Sequence, residues 1–152
     1  MTVKVARPFQ YAGGQRFRLR GIADAEQHLF VVADARREIT ELLWIQIESY
    51  LPDVKGEYDY AGDGVVSKSG IRLFTNVRQY TTPPQPDSDR ARAYDLLSRA
   101  HYDPEKLASR VRFVHLPNEA RRSEVMIVYA MRGTGSEELI QRALRKFSVA
   151  RR

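Results

Sequence analysis

The sequence contains no cysteine among its 152 residues. Without a thiol the chain can form no disulfide bond, and it can supply no thiolate nucleophile. It also offers no cysteine ligand for zinc or for an iron–sulfur cluster. These classes of site are excluded, which leaves carboxylate, histidine and tyrosine chemistry, or binding without catalysis.

Long hydrophobic runs are also missing. Residues 1–14 contain no apolar stretch of the roughly 7–15 residues that a secretory signal needs, and no segment approaches the roughly 18 apolar residues of a membrane span. The composition, 43% hydrophobic and 29% charged, is typical of a globular protein. We therefore expect a cytoplasmic protein with a single domain over residues 1–152 and no membrane partner, since chains of about 100–200 residues usually form one core.

The chain has a formal net charge of +6, but no run of basic residues is longer than two. A nucleic-acid-binding protein usually shows a longer basic run or a recognisable motif, and neither is present. The alternating Arg16, Arg18 and Arg20, together with Trp44 and Tyr50, could form a base-stacking platform. Binding of nucleic acid or another anionic partner is therefore the weakest of three hypotheses.

Alternation of polar and apolar residues predicts β-strands in most of the chain. The segments with this pattern are Arg16–Ile22, Gln27–Ala33, Ile39–Leu51, Ile71–Tyr80, Val111–Leu116 and Glu124–Met131. The last of these is apolar on both faces, which is typical of a central strand covered on both sides. Short polar connections predict hairpins between the second and third and between the fifth and sixth segments.

Helices are predicted after the proline cluster and at the C-terminal end. Asp87 or Ser88 can cap a helix whose apolar stripe is Ala93, Leu96, Leu97 and Ala100. A short helix is predicted from Pro104 to about Arg110, and a last helix from about Ser136 to Val149. The fold class is therefore α+β: an antiparallel β-sheet of about six strands, with a middle helical segment and a C-terminal helix packed on one face.

One face of the long third strand carries the strongest functional signal. Its even positions are Trp44, Gln46, Glu48 and Tyr50, and the next strand presents Arg72, Phe74, Asn76, Arg78 and Tyr80 on one face. If the two faces coincide, aromatic and polar groups converge as they do in ligand pockets. The residues predicted to bind a ligand are Trp44, Gln46, Glu48, Tyr50, Arg72 and Tyr80. A solvent-facing sheet gives the same alternation and is the commoner cause of it.

Catalytic candidates are few. Glu48 and His28 are the two side chains that could act as a general base in such a pocket. The three histidines are far apart and the acidic stretch 57–64 lacks the ligand spacing of a calcium loop, so we expect no metal and no cofactor. The turn Gly133–Ser136 lacks the lysine of a phosphate-binding loop and is followed by Glu137 and Glu138, which favours a simple helix start.

The leading hypothesis is a protein that binds a small organic molecule between the curved sheet and a helix. An enzyme that uses Glu48 or His28 in the same pocket is the second hypothesis, and no motif decides whether the chain is an enzyme. The oligomeric state is open, since the strand Arg16–Ile22 could lie at a sheet edge and pair with a second copy.

Overall fold

The computed structural model describes residues 1–133 and 138–151, and it shows an α+β fold. The strands of these residues are β1 (Thr2–Val5), β2 (Gln10–Leu19), β3 (Ala23–Ala33), β4 (Ile39–Tyr50), β5 (Gly64–Lys68), β6 (Ile71–Gln79), β7 (Leu107–His115), β8 (Ser123–Arg132) and β9 (Phe147–Ala150). The helices are α1 (Asp89–Arg99) and α2 (Leu139–Leu144). The predicted α+β class with an antiparallel sheet is confirmed.

Seven strands form one antiparallel sheet in the order β2-β3-β4-β8-β7-β6-β5, and β1 pairs with β9 in a separate two-stranded ribbon. The strand that is apolar on both faces, β8, is the fourth of the seven, as its sequence predicted. Its neighbours Ile127 and Val128 point to opposite faces and are both buried. The predicted hairpins β3–β4 and β7–β8 are also confirmed.

The two faces of the sheet are covered by different elements. Helix α1 packs against β2 and β3, and its Ala93, Leu96 and Leu97 join a core that includes Trp44. Helix α2 and the β1–β9 ribbon cover the opposite face, where the rings of Phe113 and Phe147 meet edge to face with centroids 5.5 Å apart. Because α1 packs mainly over β2 and β3, the part of the same sheet face that lies over β6 and β7 is left open for a cavity.

Three local predictions are wrong. Residues 104–110 form no helix: Leu107 already pairs with β8 and begins β7, since alternating burial on a sheet outweighs the helix start offered by Pro104. No strand was predicted between Leu51 and Ile71, but this segment contains the edge strand β5. The last helix ends at Leu144 and is followed by β9, whose Phe147 and Val149 are buried by pairing with β1.

Other local predictions are confirmed or lie outside the described residues. Ser88 is the N-cap of α1, and its Oγ accepts a hydrogen bond from the backbone N–H of Ala91 at 3.1 Å. Of the glycine-rich turn, Gly133 has a left-handed backbone (φ +80°), whereas residues 134–137 lie outside the described ranges. Neither helix of the described ranges is long and apolar enough to cross a membrane.

Candidate functional site

The two polar faces noted in the sequence lie on the same side of the sheet. Trp44 of β4 is opposite Val128 of β8, Val128 is opposite Arg112 of β7, and Arg112 is opposite Asn76 of β6. Directly paired residues in antiparallel strands point to the same face. The even positions of β4 and β6 therefore share one surface, the surface that α1 covers in part.

A cavity of about 590 Å³ lies between this surface, the first turn of α1 and residues 79–85. Its floor is formed by Trp44, Met126 and Val128, and its wall includes Tyr80 and Asp89. Five arginines also line it: Arg20, Arg78, Arg90, Arg110 and Arg112. The volume lies within the range of about 300–1,000 Å³ that is usual for sites of small organic ligands.

Most of the inner arginines have protein partners. An Nη2 nitrogen of Arg112 is 2.7 Å from an Oδ2 oxygen of Asp63. Arg90 donates from Nη1 to the Thr82 carbonyl at 2.9 Å, and its guanidinium lies 3.8 Å from the centre of the Tyr80 ring. Both guanidinium groups are therefore positioned by the protein itself.

Arg110 differs from these two. Its Nη1 is buried and has no hydrogen-bond partner, and no carboxylate of the described residues lies within ion-pair distance of its guanidinium. Burial lowers the pKa of Arg110, while the nearby Tyr80 and Asp89 oppose that shift. A guanidinium nitrogen that has lost water without gaining a hydrogen-bond acceptor is unfavourable, so Arg110 has free capacity to bind a group that enters the cavity.

Next to the cavity, side-chain amides and carboxyls form a continuous hydrogen-bonded chain. Gln15 donates to Gln27 at 2.8 Å, Gln27 donates to Gln46 at 2.7 Å, and Gln46 donates to Glu48 at 3.0 Å. The indole Nε1 of Trp44 also donates to Gln46, at 3.1 Å. These hydrogen bonds hold the Trp44 ring in place and satisfy the polar side chains that β2, β3 and β4 place in the core.

The chain ends in a pair of buried carboxyl groups. Glu48 of β4 lies directly opposite Glu124 of β8, and the two side chains are only 5% and 2% exposed. The two carboxyl groups are close enough for the charge of Glu48 to raise the pKa of Glu124. The hydroxyl of Tyr60 donates a short hydrogen bond to Oε2 of Glu124 and closes the loop of residues 51–63 over the pair.

Burial sets the protonation of this pair. It raises the pKa of Glu48 above the ordinary value, with a further contribution from Asp89. Burial, together with the neighbouring Glu48, raises the pKa of Glu124 to about 8. At neutral pH the pair therefore keeps a proton, because two buried carboxyl groups placed opposite each other do not readily both ionise.

The structure separates the residues that the sequence grouped. Trp44 and Tyr80 line the cavity, whereas Gln46 and Glu48 lie buried beside it and are not part of its wall. Arg72 faces a second cavity of about 540 Å³ with His115, Asp59 and Arg121.

Two further candidates lie away from the cavity. Tyr50 packs on Tyr58, with ring centroids 4.6 Å apart. His28 lies opposite Ile45 on the other face of the sheet, with its ring bonded to Tyr11 and Glu26. Glu48 and His28 therefore cannot act in one site.

Three residues at the centre of the arrangement were missed by sequence reasoning: Arg110, Arg112 and Glu124. The signal for the two arginines was their alternation with Val111 and Phe113, but Arg110 was assigned to the end of a helix. Glu124 was taken as the first residue of a strand. Only the strand register places it opposite Glu48.

The polar loops form local contacts. Asp59 accepts the backbone N–H of Ala61, and Asp63 pairs with Arg112. Arg122 donates to the carbonyls of Leu51, Val54 and Gly56 and so connects the loop before β8 to the loop of residues 51–63. In the part of the chain that the structure describes, no group of three or more histidines, aspartates or glutamates is arranged to hold a metal ion.

No family model, curated protein or solved structure matches this chain. Its function is therefore inferred from its own residues.

Proposed function

We propose that the protein binds a small organic molecule in the cavity between the sheet and the start of α1. The observation that carries this proposal is Arg110, whose guanidinium borders the cavity with hydrogen-bonding capacity that no described residue uses. Trp44, Tyr80 and Met126 add apolar surface beside it. Binding sites commonly combine an apolar wall with a few polar groups that lack internal partners.

The only tryptophan of the chain, Trp44, makes this proposal measurable. A metabolite library can be screened by thermal shift, and each hit titrated against the emission of Trp44, which should change saturably because the indole lies at the cavity floor. The variant Val128→Phe adds volume at the same floor and should abolish the response. Val77→Phe, at an exposed position on β6, is the matched control and should retain it.

The proposal fails if the library gives no saturable response, or if Val128→Phe binds the hits as tightly as the unchanged protein. A thermal unfolding curve of Val128→Phe shows whether the variant is folded. If it is not, Thr82→Phe at the exposed rim provides a second way to obstruct the cavity and leaves Trp44 as the only tryptophan.

General acid–base catalysis is a second candidate, favoured by the proton that the buried Glu48–Glu124 pair keeps near neutral pH. Glu124 lies two residues before Met126 on the same face of β8, so the pair is close to the cavity floor. A carboxylic acid that stays protonated near neutral pH is suited to proton donation. Any hit should then be converted to product, and Glu48→Gln and Glu124→Gln should each stop turnover. Turnover that survives both substitutions contradicts this candidate.

The cytoplasmic location and the homodimer remain predictions. Strand β2, which includes Arg16 and Arg18, does lie at the edge of the sheet, where a second copy could pair. Cell fractionation and the mass of the protein in solution would test the two predictions.

A further inference from the structure

The charges around the cavity indicate what kind of molecule it takes. Of the residues that line it, five are arginines and one, Asp89, is acidic. Arg110 and Arg78 lie directly opposite each other on β7 and β6, and the pair Arg112–Asn76 is the next row on the same face. Like charges placed opposite each other on neighbouring strands are unfavourable unless a counter-charge lies between them.

We propose that the ligand carries a carboxylate or phosphate group and that Arg110 binds this group, with Arg78 beside it. This inference rests on the proposed function, because it names the chemistry of the molecule in the same cavity. An arginine guanidinium presents donors in a planar fork that matches the oxygens of either anion.

The acidic side chains near Arg110 do not supply this anion. Asp63 is engaged by Arg112. The Asp89 carboxylate accepts the backbone N–H of Arg90 at 2.8 Å and forms no ion pair with Arg110. Burial raises the pKa of Asp89, which weakens it further as a counter-charge. The Glu48–Glu124 pair keeps its own proton and is bonded to Gln46 and Tyr60.

Arg110 also differs from the other arginines that have a buried, unpaired nitrogen. In Arg90, Arg112, Arg121 and Arg132 another nitrogen of the same guanidinium donates a hydrogen bond, to a carbonyl or a carboxylate. Arg110 has no such bond. Among the arginines with a buried, unpaired nitrogen, Arg110 is therefore the one whose guanidinium forms no hydrogen bond within the described residues.

The rest of the ligand is expected to be compact and partly aromatic. Trp44 and Met126 form the floor, and Tyr80 is fixed in the wall by the stacked Arg90. A cavity of about 590 Å³ accommodates a small organic acid or phosphate ester. We therefore choose phenyl phosphate and benzoate as anionic probes, with benzyl alcohol and benzamide as neutral probes of similar shape.

The test is a titration of the full chain with the four probes, followed by the emission of Trp44. We expect saturable changes with benzoate or phenyl phosphate and at least tenfold weaker binding of benzamide and benzyl alcohol. The better of the two anions identifies whether a carboxylate or a phosphate is preferred. Added salt should weaken the binding of the anions more than that of the neutral probes.

Arg110→Met keeps an unbranched apolar stem of similar length to the arginine's aliphatic part and removes the charge, so it should weaken the anions at least tenfold and leave the neutral probes unchanged. Arg36→Met, at an exposed arginine far from the cavity lining, is the matched control and should bind like the unchanged protein.

Two results overturn the inference and differ from each other. If the neutral probes bind as tightly as the anions and Arg110→Met has no effect, the charge preference is wrong while small-molecule binding stands. If none of the four probes gives a saturable response and the metabolite screen also yields no hit, the proposed function fails together with the inference.

Discussion

At the scale of single residues, the carboxyl pair dominates the chemistry of the core. Glu48 and Glu124 are buried opposite each other at the end of a chain of three glutamines. The proton that this pair keeps near neutral pH is a property of the folded state alone, because both side chains are solvated in the unfolded chain. The pair therefore links the stability of the fold to pH.

We predict that the protein becomes less stable as the pH rises from about 5 to 9. The pKa of Glu124 is 4.5 in an ordinary environment and about 8 in the fold. The folded state thus holds a proton that the unfolded chain releases, so its stabilising effect is complete below pH 4.5 and is lost as the pH rises through 8. The loss amounts to several kcal/mol at most, since one pKa unit corresponds to about 1.4 kcal/mol. Urea unfolding at a series of pH values measures it.

The variant Glu124→Gln should flatten this pH dependence. Glutamine keeps a hydrogen-bonding group toward Glu48 and Tyr60 but has no proton to lose, so at pH 9 the variant should be more stable than the unchanged protein by about 1–3 kcal/mol. Glu57→Gln, at an exposed position in the loop of residues 51–63, is the control and should keep the original slope. A slope in Glu124→Gln equal to that of the control would show that the pair does not control the pH dependence.

A comparison of two arginines tests whether Arg110 lacks a protein partner. Arg110→Met should leave the free energy of unfolding unchanged or raise it by about 1 kcal/mol, because it removes a desolvated charge without breaking a bond. Arg112→Met removes the ion pair of the buried Asp63 and should cost about 1–3 kcal/mol. Urea unfolding of both variants is the measurement. A cost for Arg110→Met similar to that for Arg112→Met would mean that the protein already satisfies Arg110.

At the scale of elements, the start of α1 is one wall of the cavity. The proline-rich segment before it ends at Ser88, whose Oγ accepts from the Ala91 N–H and donates to the Gln85 carbonyl at 2.7 Å. Ser88 thereby fixes both the helix and the rim segment that precedes it.

Ser88→Ala should cost about 1 kcal/mol of stability, the usual loss when an N-cap side chain is removed. Ser98→Ala, on the exposed face of the same helix, offers the matched comparison and should change stability by less than about 0.5 kcal/mol. Thermal unfolding of the two variants checks the prediction. Equal effects would show that the cap does not stabilise the wall.

The elements also show how far local sequence patterns determine this fold. Alternation identified β3, β4 and β8, and the proline cluster with Ser88 identified the start of α1, because each pattern depends on neighbours in the sequence. The short strands β1, β5 and β9 were missed, since four or five residues give little periodicity. They become strands through partners that are distant in the chain, as when Val3 pairs with Val149.

The difference between local patterns and distant pairing also explains which residues of the site could be predicted. The sequence placed Trp44, Gln46 and Glu48 on one face, which the structure confirms as a local property of β4. It did not reveal that Arg112 and Glu124 complete that face, because this depends on the order and register of four strands. His28 was grouped with Glu48 although it lies on the opposite side of the sheet.

At the scale of the whole molecule, one face of the sheet is fully packed and the other is only partly covered. Helix α2 and the β1–β9 ribbon close one side with apolar residues, while α1 leaves room over β6 and β7 on the other. Five arginines and one acidic residue line that opening. We therefore expect a single small anion bound at Arg110, rather than an extended partner bound over the surface.

The decisive measurement is a crystal structure of the protein with whichever of phenyl phosphate and benzoate binds more tightly. We expect density for the probe in the cavity, with its anionic oxygens at hydrogen-bond distance from Arg110 and its ring against Trp44 or Tyr80. A probe bound elsewhere, or an Arg110 side chain that bonds to Asp89 while the cavity stays empty of the probe, would contradict it.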